Sequence, residues 1–566
     1  MPQDCSTEPH VIALAFPIAS HPASLHTLVR KLAAAAPDVT FSFFSTAKAN
    51  SSLLGLEVDD LDNLKAYSVG DGVPENYVFT GRVEEDLDLF MKAAPGNFKR
   101  AIMEETTKKK KKISCLLSDT ILWFAGEMAE EMKVPWVTLW IGTQFSLSAH
   151  FYTDVIRHMI GIGPHGTVGR EDEPLNFIPG MSELRIGDLP EGIVSGDVES
   201  PISITLHRMS QMLPRAAAIV INSFEELNPT ITNDLKSKFQ KCLNVGPFFL
   251  MSLQPSDLDL VADVISWLDG QKAASVAYVG FGTLFSPPPH ELAALAEALE
   301  VSGGPFLWSL KDNLRACLAD GFLERTKGRG KVVSWAPQLR VLGHTAVGVF
   351  VTHCGWNSVV ESVMGRVPMI CRPIFADQGV NARMVTEVWG TGVGLEGGVF
   401  TRDGTMRGLD LILSKEKGMK MREKLGVLKE LMGKVVVPEG SSSENFKTLL
   451  EIVSGMVVIN RSIESREGGH EVIARPIVVF QYANDRSLIF STFQFDVAEL
   501  IRKLQSTYHA KFREVLGTPE NGSCISIDDD IYNQVMGPEK HGHVRAYGLG
   551  STPSYVFGSM SSQSRA

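Results

Sequence analysis

Cysteine is scarce in this sequence, with seven residues in 566, scattered from Cys5 to Cys524. They form neither a disulfide framework nor the CxxC spacing of zinc sites, and so they favour a reducing compartment. Basic residues are also in deficit, because 54 Lys and Arg stand against 65 Asp and Glu and leave a net charge of −11. Nucleic-acid-binding proteins normally present a net basic face, so we expect no nucleic-acid partner.

Long hydrophobic runs are missing too. The apolar run at residues 11–16 is too short for the core of a signal peptide, and no basic segment precedes it. No later stretch has the continuous apolar length that a membrane span requires. We therefore expect a cytoplasmic protein without membrane insertion.

What the sequence does contain is an ordinary globular composition, with 44% hydrophobic and 21% charged residues. Short apolar runs alternate with segments of helical period, which predicts parallel sheets with right-handed crossovers. The predicted strands lie at residues 10–17, 39–44, 113–118, 136–140, 216–222, 276–281, 305–309, 348–352 and 367–371. The predicted helices lie at residues 24–36, 121–132, 290–301, 357–364, 378–389 and 443–453.

A chain of 566 residues is too long for one core, and this alternation predicts an α/β protein with two Rossmann-like, doubly wound domains that face a cleft. The first domain comprises residues 1–246, with 216–222 as its last strand, and the second comprises residues 265–440. Residues 247–264 have no strong period and are predicted to be the linker between them. A cleft between two such domains is the usual place for a ligand.

The chain changes character after the second domain. Residues 441–456 are predicted to form a closing helix, and residues 457–566 have no sustained strand–helix rhythm and end in a Ser- and Gly-rich segment. Such a composition cannot bury enough apolar surface to order itself, so a poorly ordered tail is expected. Residues 537–554 (GPEKHGHVRAYGLGSTPS) resemble the C-terminal end of plant En/Spm-type transposases.

The most informative segment is residues 335–378, WAPQLRVLGHTAVGVFVTHCGWNSVVESVMGRVPMICRPIFADQ. It predicts a strand at 348–352, a tight turn at 353–356 and then a helix. A helix N-terminus offers unpaired N–H groups and a positive dipole end, which suits a diphosphate. His353 adds a hydrogen-bond donor there and Gly355 allows close approach of the backbone. Ser358 and Glu361 also have the spacing of a capping box, which would explain both residues structurally.

The order of residues in this segment resembles the plant secondary-product glycosyltransferase box, the signature of UDP-sugar-dependent glycosyltransferases with the GT-B fold. The segments at 41–46, 71–82, 175–181 and 221–229 are similar to those of the flavonoid and anthocyanidin 3-O-glucosyltransferases. The resemblance extends from His10 to about Ser454, and it implies that the closing helix returns to brace the first domain.

The resemblance implies a complete set of donor-binding residues. It places Trp335 under the uracil, Glu361 on the ribose, and Asp377 and Gln378 on the sugar, with a terminal Gln associated with glucose. The structural alternatives are a core tryptophan at 335 and a helix N-cap at 377. The donor-binding set is Gly282, Thr283, Ser309, Trp335, Ala336, Gln338, His353, Trp356, Asn357, Ser358, Glu361, Asp377 and Gln378.

The best candidate for the base that accepts the acceptor proton is His21, which lies in the loop after the first predicted strand. Histidine is suited to general base catalysis near neutral pH. Asp119 ends the strand ISCLLSD at the same edge of the predicted sheet, where it could fix the tautomer of His21. A loop histidine alone is more often structural, but the family has His and Asp at these matching places. The resemblance therefore implies a catalytic pair.

The acceptor pocket departs from the family pattern. Glu84 stands where flavonoid-specific members tend to have Gln, Ile121 replaces an aromatic residue, and Pro190 stands where a polar contact is common. Ile141 follows Trp140 where Thr is usual, so its side chain cannot donate a hydrogen bond to the sugar. The expected acceptor-binding residues are Ser20, Glu84, Ile121, His150, Pro190 and Phe375.

Together these residues predict inverting transfer of glucose from UDP-glucose to a hydroxyl, with position 3 favoured, of a flavonoid-like acceptor. UDP-glucose is a co-substrate, and no bound cofactor, no metal and a monomeric chain are expected. One alternative is transfer to another small phenol. Another is a catalytically impaired nucleotide-sugar-binding relic, suggested by residues 141–145 and the tail, and turnover of UDP-glucose would separate the two. A transposase-related DNA-binding function is disfavoured by the net charge.

Overall fold

The structure is a computed structural model that describes residues 9–53, 61–80, 84–109, 112–248, 258–413, 415–461, 464–467, 470–473, 477–482 and 488–491. The strands of the first half are β1 His10–Leu14, β2 Thr40–Thr46, β3 Leu64–Val69, β4 Ile113–Asp119, β5 Trp136–Trp140, β6 Ala218–Ile221 and β7 Cys242–Asn244. Its helices are α1 His21–Ala35, α2 Ala47–Leu53, α3 Glu85–Lys109, α4 Ala125–Met132, α5 Gln144–Phe151, α6 Thr153–Ile160, α7 Pro164–Thr167, α8 Pro201–Met212 and α9 Pro229–Lys238.

These strands form one parallel sheet in the order β3-β2-β1-β4-β5-β6-β7. The central strands are buried on both faces, as expected where helices cover a parallel sheet. Along β1, Ile12 and Leu14 enter one hydrophobic cluster, and Val11 and Ala13 enter the other. The predicted doubly wound arrangement is therefore confirmed for this half.

The second half repeats the architecture. Its strands are β8 Val276–Gly280, β9 Phe306–Ser309, β10 Gly330–Val333, β11 Val347–Thr352, β12 Met369–Cys371 and β13 Gly392–Gly394. They form a parallel sheet in the order β10-β9-β8-β11-β12-β13. The helices are α10 Leu258–Asp269, α11 Pro289–Ser302, α12 Phe322–Thr326, α13 Gln338–Leu342, α14 Trp356–Gly365, α15 Gln378–Arg383, α16 Arg402–Leu413, α17 Lys415–Val435 and α18 Ser441–Ser454.

The last helix, α18, lies against the first sheet. Phe446, Leu449, Leu450 and Val453 are buried in the cluster that covers one face of that sheet. The Ser442 hydroxyl also donates to the carbonyl of Gly246, at 2.7 Å. The helix that follows the second domain thus packs on the first domain.

The two domains also share side chains. Phe224, which follows β6, is fully buried in a hydrophobic cluster of the second domain. Val380 of α15 and Met384 just after it are buried in a cluster of the first domain. Arg383 completes the contact with an ion pair to Asp188, at 2.8 Å. The domains therefore interlock around the cleft.

Two predicted boundaries were wrong. The last strand of the first sheet is β7, not the predicted strand at 216–222, because β7 adds a further parallel partner to β6. The predicted linker at 247–264 is helical from Leu258 onward, where α10 begins and buries Val261 and Val264. The linker residues 249–257 lie outside the described residues.

The region after α18 contains short antiparallel strands. They are β14 Met456–Arg461, β15 Glu464–Glu467, β16 His470–Ile473, β17 Ile477–Tyr482 and β18 Leu488–Ser491. They pair in the order β14-β17-β18 and as a β15-β16 ladder. Up to residue 491 the structure thus has strands where a disordered tail was predicted. Residues 492–566, including the transposase-like segment, lie outside the described residues.

In the described part of the chain, no helix combines the length and the apolar character needed to cross a membrane.

Candidate active site

A cleft of about 640 Å³ lies between the two sheets, lined by residues of both domains. In the first sheet the strand order reverses between β1 and β4, and in the second between β8 and β11. Doubly wound sheets bind ligands at such reversal points, outside the carboxyl ends of the strands. The segments after β1, β8 and β11 all line the cleft.

His21 and Asp119 form a hydrogen-bonded pair at the reversal point of the first sheet. His21 is the first residue of α1, not a loop residue as the sequence predicted. Its Nδ1 lies 2.7 Å from Oδ2 of Asp119, and the carboxylate is 1% exposed. Oδ1 of Asp119 accepts from the backbone N–H of Ile121 at 3.0 Å, which fixes the carboxylate. Nε2 of His21 is therefore the nitrogen that is left to serve the cleft.

The opposite wall begins with His353, just after β11. A Cβ at Gly355 would come within 2.6 Å of the His353 Nε2, and one at Gly282, whose φ is +71°, would come within 3.0 Å, so both glycines leave room for the ring. Burial lowers the pKa of His353 to about 4, so the ring is neutral. Among the described residues its Nδ1 has no hydrogen-bond partner. The pKa is lowered although a backbone hydrogen bond with Gly280 opposes the shift, so a neutral imidazole with a free Nδ1 lies beside the N-terminus of α14.

Ser358 and Glu361 do not form a capping box, so that alternative was wrong. Helix α14 begins at Trp356 with Gly355 as N-cap, and no side chain caps it. Both Ser358 and Glu361 instead accept from the amide nitrogen of Gln338, at 2.9 Å and 2.7 Å. Burial raises the pKa of Glu361, and the bond from Gln338 opposes this shift. Gln338 thus holds the two side chains together, and neither of them caps α14.

Asp377 and Gln378 begin α15 at the cleft. Asp377 occupies the N-cap position without making a side-chain cap, so a capping role does not explain it. Burial raises its pKa, and Asn381 and the nearby His21 oppose this shift. Oε1 of Gln378 accepts from the backbone N–H groups of Ile374 and Phe375, at 2.8 Å and 3.0 Å. The amide nitrogen of Gln378 is then the group available to a ligand.

The first-domain wall contains buried and acidic side chains. His150 packs edge-on against Trp140, with ring centroids 5.5 Å apart, and burial lowers its pKa to about 4. Burial also raises the pKa of Glu84, whose Oε2 accepts from the backbone N–H of Ile202 at 3.2 Å. The described residues that line the cleft include five carboxylates and no Lys or Arg. The carboxylates are those of Glu84, Asp86, Glu191, Asp197 and Asp377.

Most of the predicted site residues meet in this cleft. Those that line it are Ser20, His21, Glu84, Ile121, His150, Pro190, Gly282, Thr283, His353, Trp356, Asn357, Ser358, Phe375, Asp377 and Gln378. Asp119 lies behind His21. Trp335, Ala336, Gln338, Ser309 and Glu361 do not line it.

Two of these outlying residues, Ser309 and Trp335, lie at the carboxyl ends of neighbouring strands, β9 and β10. Ser309 pairs with Gly280 of β8 and with Val333 of β10. Trp335 follows β10 and is 49% exposed, so it is not a core tryptophan. Gln338 reaches the cleft through its hydrogen bond to Ser358.

Sequence reasoning missed several residues at the cleft. Ala19 and Ala376 line it with positive φ angles of 54° and 56°, and Cys354, between His353 and Gly355, has φ 64°. Nothing about an alanine or a cysteine in a sequence signals that conformation. Asn222 was also missed, although it lies in a segment whose family likeness was noted. It forms hydrogen bonds with Trp140 of the first domain and with Trp356 and Asn357 of the second.

The chain is similar to known proteins over most of its length. The family model described as UDP-glucoronosyl and UDP-glucosyl transferase matches residues 13–423. The chain is 52% identical to an anthocyanidin 3-O-glucosyltransferase of Vitis vinifera, over 79% of this chain and 98% of the relative. It is 51% identical to an anthocyanidin 3-O-galactosyltransferase of Actinidia chinensis var. chinensis, over 80% of this chain and 98% of the relative.

A solved structure gives the same likeness. The crystal structure of a UDP-glucose: anthocyanidin 3-O-glucosyltransferase in complex with UDP superposes with a TM-score of 0.74 at 41% identity. The match covers 79% of this chain and 99% of that one. The predicted GT-B fold is confirmed by this comparison.

Proposed function

Because the chain belongs to the UDP-glucuronosyl and UDP-glucosyl transferase family, we propose that it transfers glucose from UDP-glucose to a hydroxyl of a flavonoid-like acceptor, with the 3-hydroxyl favoured. The observation that carries this proposal is the His21–Asp119 pair facing the N-terminus of α14 across one cleft. A base on one wall and a diphosphate site on the other are what a direct displacement requires.

In the proposed step the acceptor oxygen attacks the anomeric carbon while the bond from that carbon to the diphosphate breaks. The acceptor proton passes to Nε2 of His21, and UDP leaves with the bonding electron pair. Asp119 holds the ring by Nδ1 and stabilises the imidazolium, as a triad aspartate does. Attack opposite the leaving group inverts the anomeric centre, so an α-linked donor gives a β-glycoside.

The leaving diphosphate is served by backbone N–H groups at the start of α14 and by neutral donors such as His353. Because burial keeps His353 neutral, its role is hydrogen bonding and not charge pairing. On this proposal the step proceeds without a metal or a bound cofactor. Trp335 is available to stack on the base, a contact worth about 1–3 kcal/mol by analogy with single-strand binding.

The charge of the cleft narrows the acceptor class. Carboxylates at Glu84, Asp86, Glu191 and Asp197 line the cleft on the side of the first domain. Like charges repel, and solvent weakens this repulsion at the exposed Asp86, Glu191 and Asp197 more than at the partly buried Glu84. A neutral or cationic polyphenol is therefore favoured over an anionic phenol such as a phenolic acid.

The proposal is tested by product analysis with UDP-glucose and a flavonol, an anthocyanidin and a phenolic acid as acceptors. We expect a 3-O-β-glucoside with the first two and little product with the third. Replacing His21 by Ala should lower kcat by about two to four orders of magnitude with UDP affinity little changed. Asp119→Asn should cost less, because the base remains. UDP binding by the wild type without transfer would favour a nucleotide-sugar-binding relic instead.

A further inference from the structure

Asn222 connects the two walls of the cleft. It follows β6 of the first domain and is 3% exposed. Its backbone N–H donates to the carbonyl of Trp140, at 2.9 Å, and its carbonyl accepts from the indole N–H of Trp356 in α14, at 2.6 Å. The side chain of Asn357, the next residue of α14, lies 3.3 Å away.

The orientation of the Asn222 amide is determined by its neighbours. The backbone N–H of Phe248 is a donor, so the atom it meets at 2.9 Å must be Oδ1. On the other side the carbonyl of Ile141 is an acceptor, 3.4 Å from the amide nitrogen. Both neighbours are backbone groups that cannot exchange roles. Nδ2 of Asn222 is therefore the atom that faces Asn357.

This orientation determines that of Asn357. A donor faces it, so Asn357 presents Oδ1 to Asn222 and keeps its own amide nitrogen for the cleft, which it lines. An amide turned the other way would present an oxygen to the cleft. At the N-terminus of α14, where an anionic diphosphate is proposed to bind, an oxygen would repel the ligand and a nitrogen would bind it.

We propose that Asn222 is a positioning residue: through its hydrogen bond to Asn357 it makes that side chain a donor toward the diphosphate of the UDP-sugar. The proposal rests on the proposed function, because it assumes that the diphosphate binds at α14. Asn222 itself touches no substrate. It acts across the domain boundary, from the end of β6 to the start of α14.

The test is a double-mutant cycle read out as the Kd of UDP, measured by calorimetry at pH 8. Asn222→Asp keeps the size of the side chain and the acceptor for Phe248, but its carboxylate cannot donate to Asn357. We expect the Kd to rise about tenfold or more. In an Asn357→Ala background the same substitution should change the Kd less than about twofold, because the side chain that it positions is gone.

The cycle also separates positioning from charge. If the new carboxylate simply repelled UDP, or if it disturbed the domain interface, the loss would persist in the Asn357→Ala background and the proposal would be overturned. An unchanged Kd for Asn222→Asp would overturn it as well. A wild-type protein that binds no UDP would instead contradict the proposed function.

Two further variants complete the design. Asn228→Asp is the matched control, since Asn228 caps α9 with Oδ1, 3.0 Å from the N–H of Ile231, a bond that a carboxylate keeps. It should leave the Kd unchanged. If Asn222→Asp does not fold, as judged by thermal unfolding, the cycle is run with Asn222→Ala. That variant adds no charge, and we expect a severalfold loss that is again absent without Asn357.

Discussion

At the scale of single residues, the site residues whose chemistry requires a particular residue type were predicted from the sequence. Those whose role depends on three-dimensional contacts were not. His21, Asp119 and His353 could be singled out because their side chains suit proton transfer and anion binding and because the family has the same residue types at the matching places. The partner of Ser358 and Glu361 could not be predicted, because the amide of Gln338 reaches them from another helix. The strained Ala376 and the bridging Asn222 also depend on neighbours that are distant in the chain.

Donor choice is a prediction at this scale. Gln378 is held by two backbone N–H groups at its oxygen, which leaves its nitrogen for the sugar. We expect UDP-glucose to be preferred over UDP-galactose and Gln378→His to erode that preference, because an imidazole cannot reproduce this geometry. Relative kcat/KM with both donors measures it. A wild type that uses UDP-galactose at least as well would show the assignment to be wrong.

A second prediction concerns His150 and pH. Its pKa is lowered from 6.5 to about 4 by burial, so below pH 6.5 the unfolded chain binds a proton that the folded one does not. Stability is therefore lost as the pH falls from 6.5 toward 4. We measure the free energy of unfolding in urea at pH 7 and at pH 5. Between these two values, we expect the free energy of unfolding of His150→Phe to fall by about 2 kcal/mol less than that of the wild type. The exposed His158→Gln is the control, and equal losses in all three proteins would contradict this account.

At the scale of elements, continuous apolar runs made the central strands predictable, and the edges of both sheets were missed. Strand β3 is partly or fully exposed except at its last residue, and β13 is Gly-Val-Gly, so neither has an apolar run. Strand β7 is buried but only three residues long. Edge strands have a single partner, and their sequences need not be hydrophobic. The closing helix α18 was within reach because its apolar residues recur at helical spacing.

Helix α18 gives a prediction for this scale. Leu450 is 1% exposed and packs in the cluster on the first sheet. Leu450→Ala should lower the free energy of unfolding by about 2–5 kcal/mol, because a buried cavity replaces the side chain. Chemical denaturation measures the change. Glu444→Ala on the exposed side of the same helix should change it by less than about 0.5 kcal/mol, and equal effects would mean that α18 does not brace the first domain.

At the scale of the whole molecule, the two-domain GT-B fold and its cleft were predictable from the alternation of strands and helices together with one signature segment. The way in which the domains join was not. Their joint depends on Phe224, Val380 and Met384, each buried in the core of the other domain, and such exchanges leave no periodic pattern in a sequence.

Truncation tests the role of the tail. Gly455 is the C-cap of α18 and has a left-handed conformation, φ 66°. A chain that stops at Gly455 therefore keeps the whole helix and its cap. We expect a protein that ends at Gly455 to keep turnover and donor preference within a few-fold of the full chain. Steady-state kinetics with UDP-glucose and a flavonol measure this. A truncated protein that folds but no longer binds the acceptor would place the tail in the active site.

The exchange of core residues between the domains limits how this architecture can be recombined. A chimera can join the first half of one relative to the second half of another. It separates Phe224 from the second-domain residues that pack around it, and Met384 from its first-domain neighbours. The natural unit of inheritance is then the interlocked pair of halves. Exchanging halves to change acceptor specificity should therefore succeed only when the residues that pack around Phe224 and Met384 are exchanged as well.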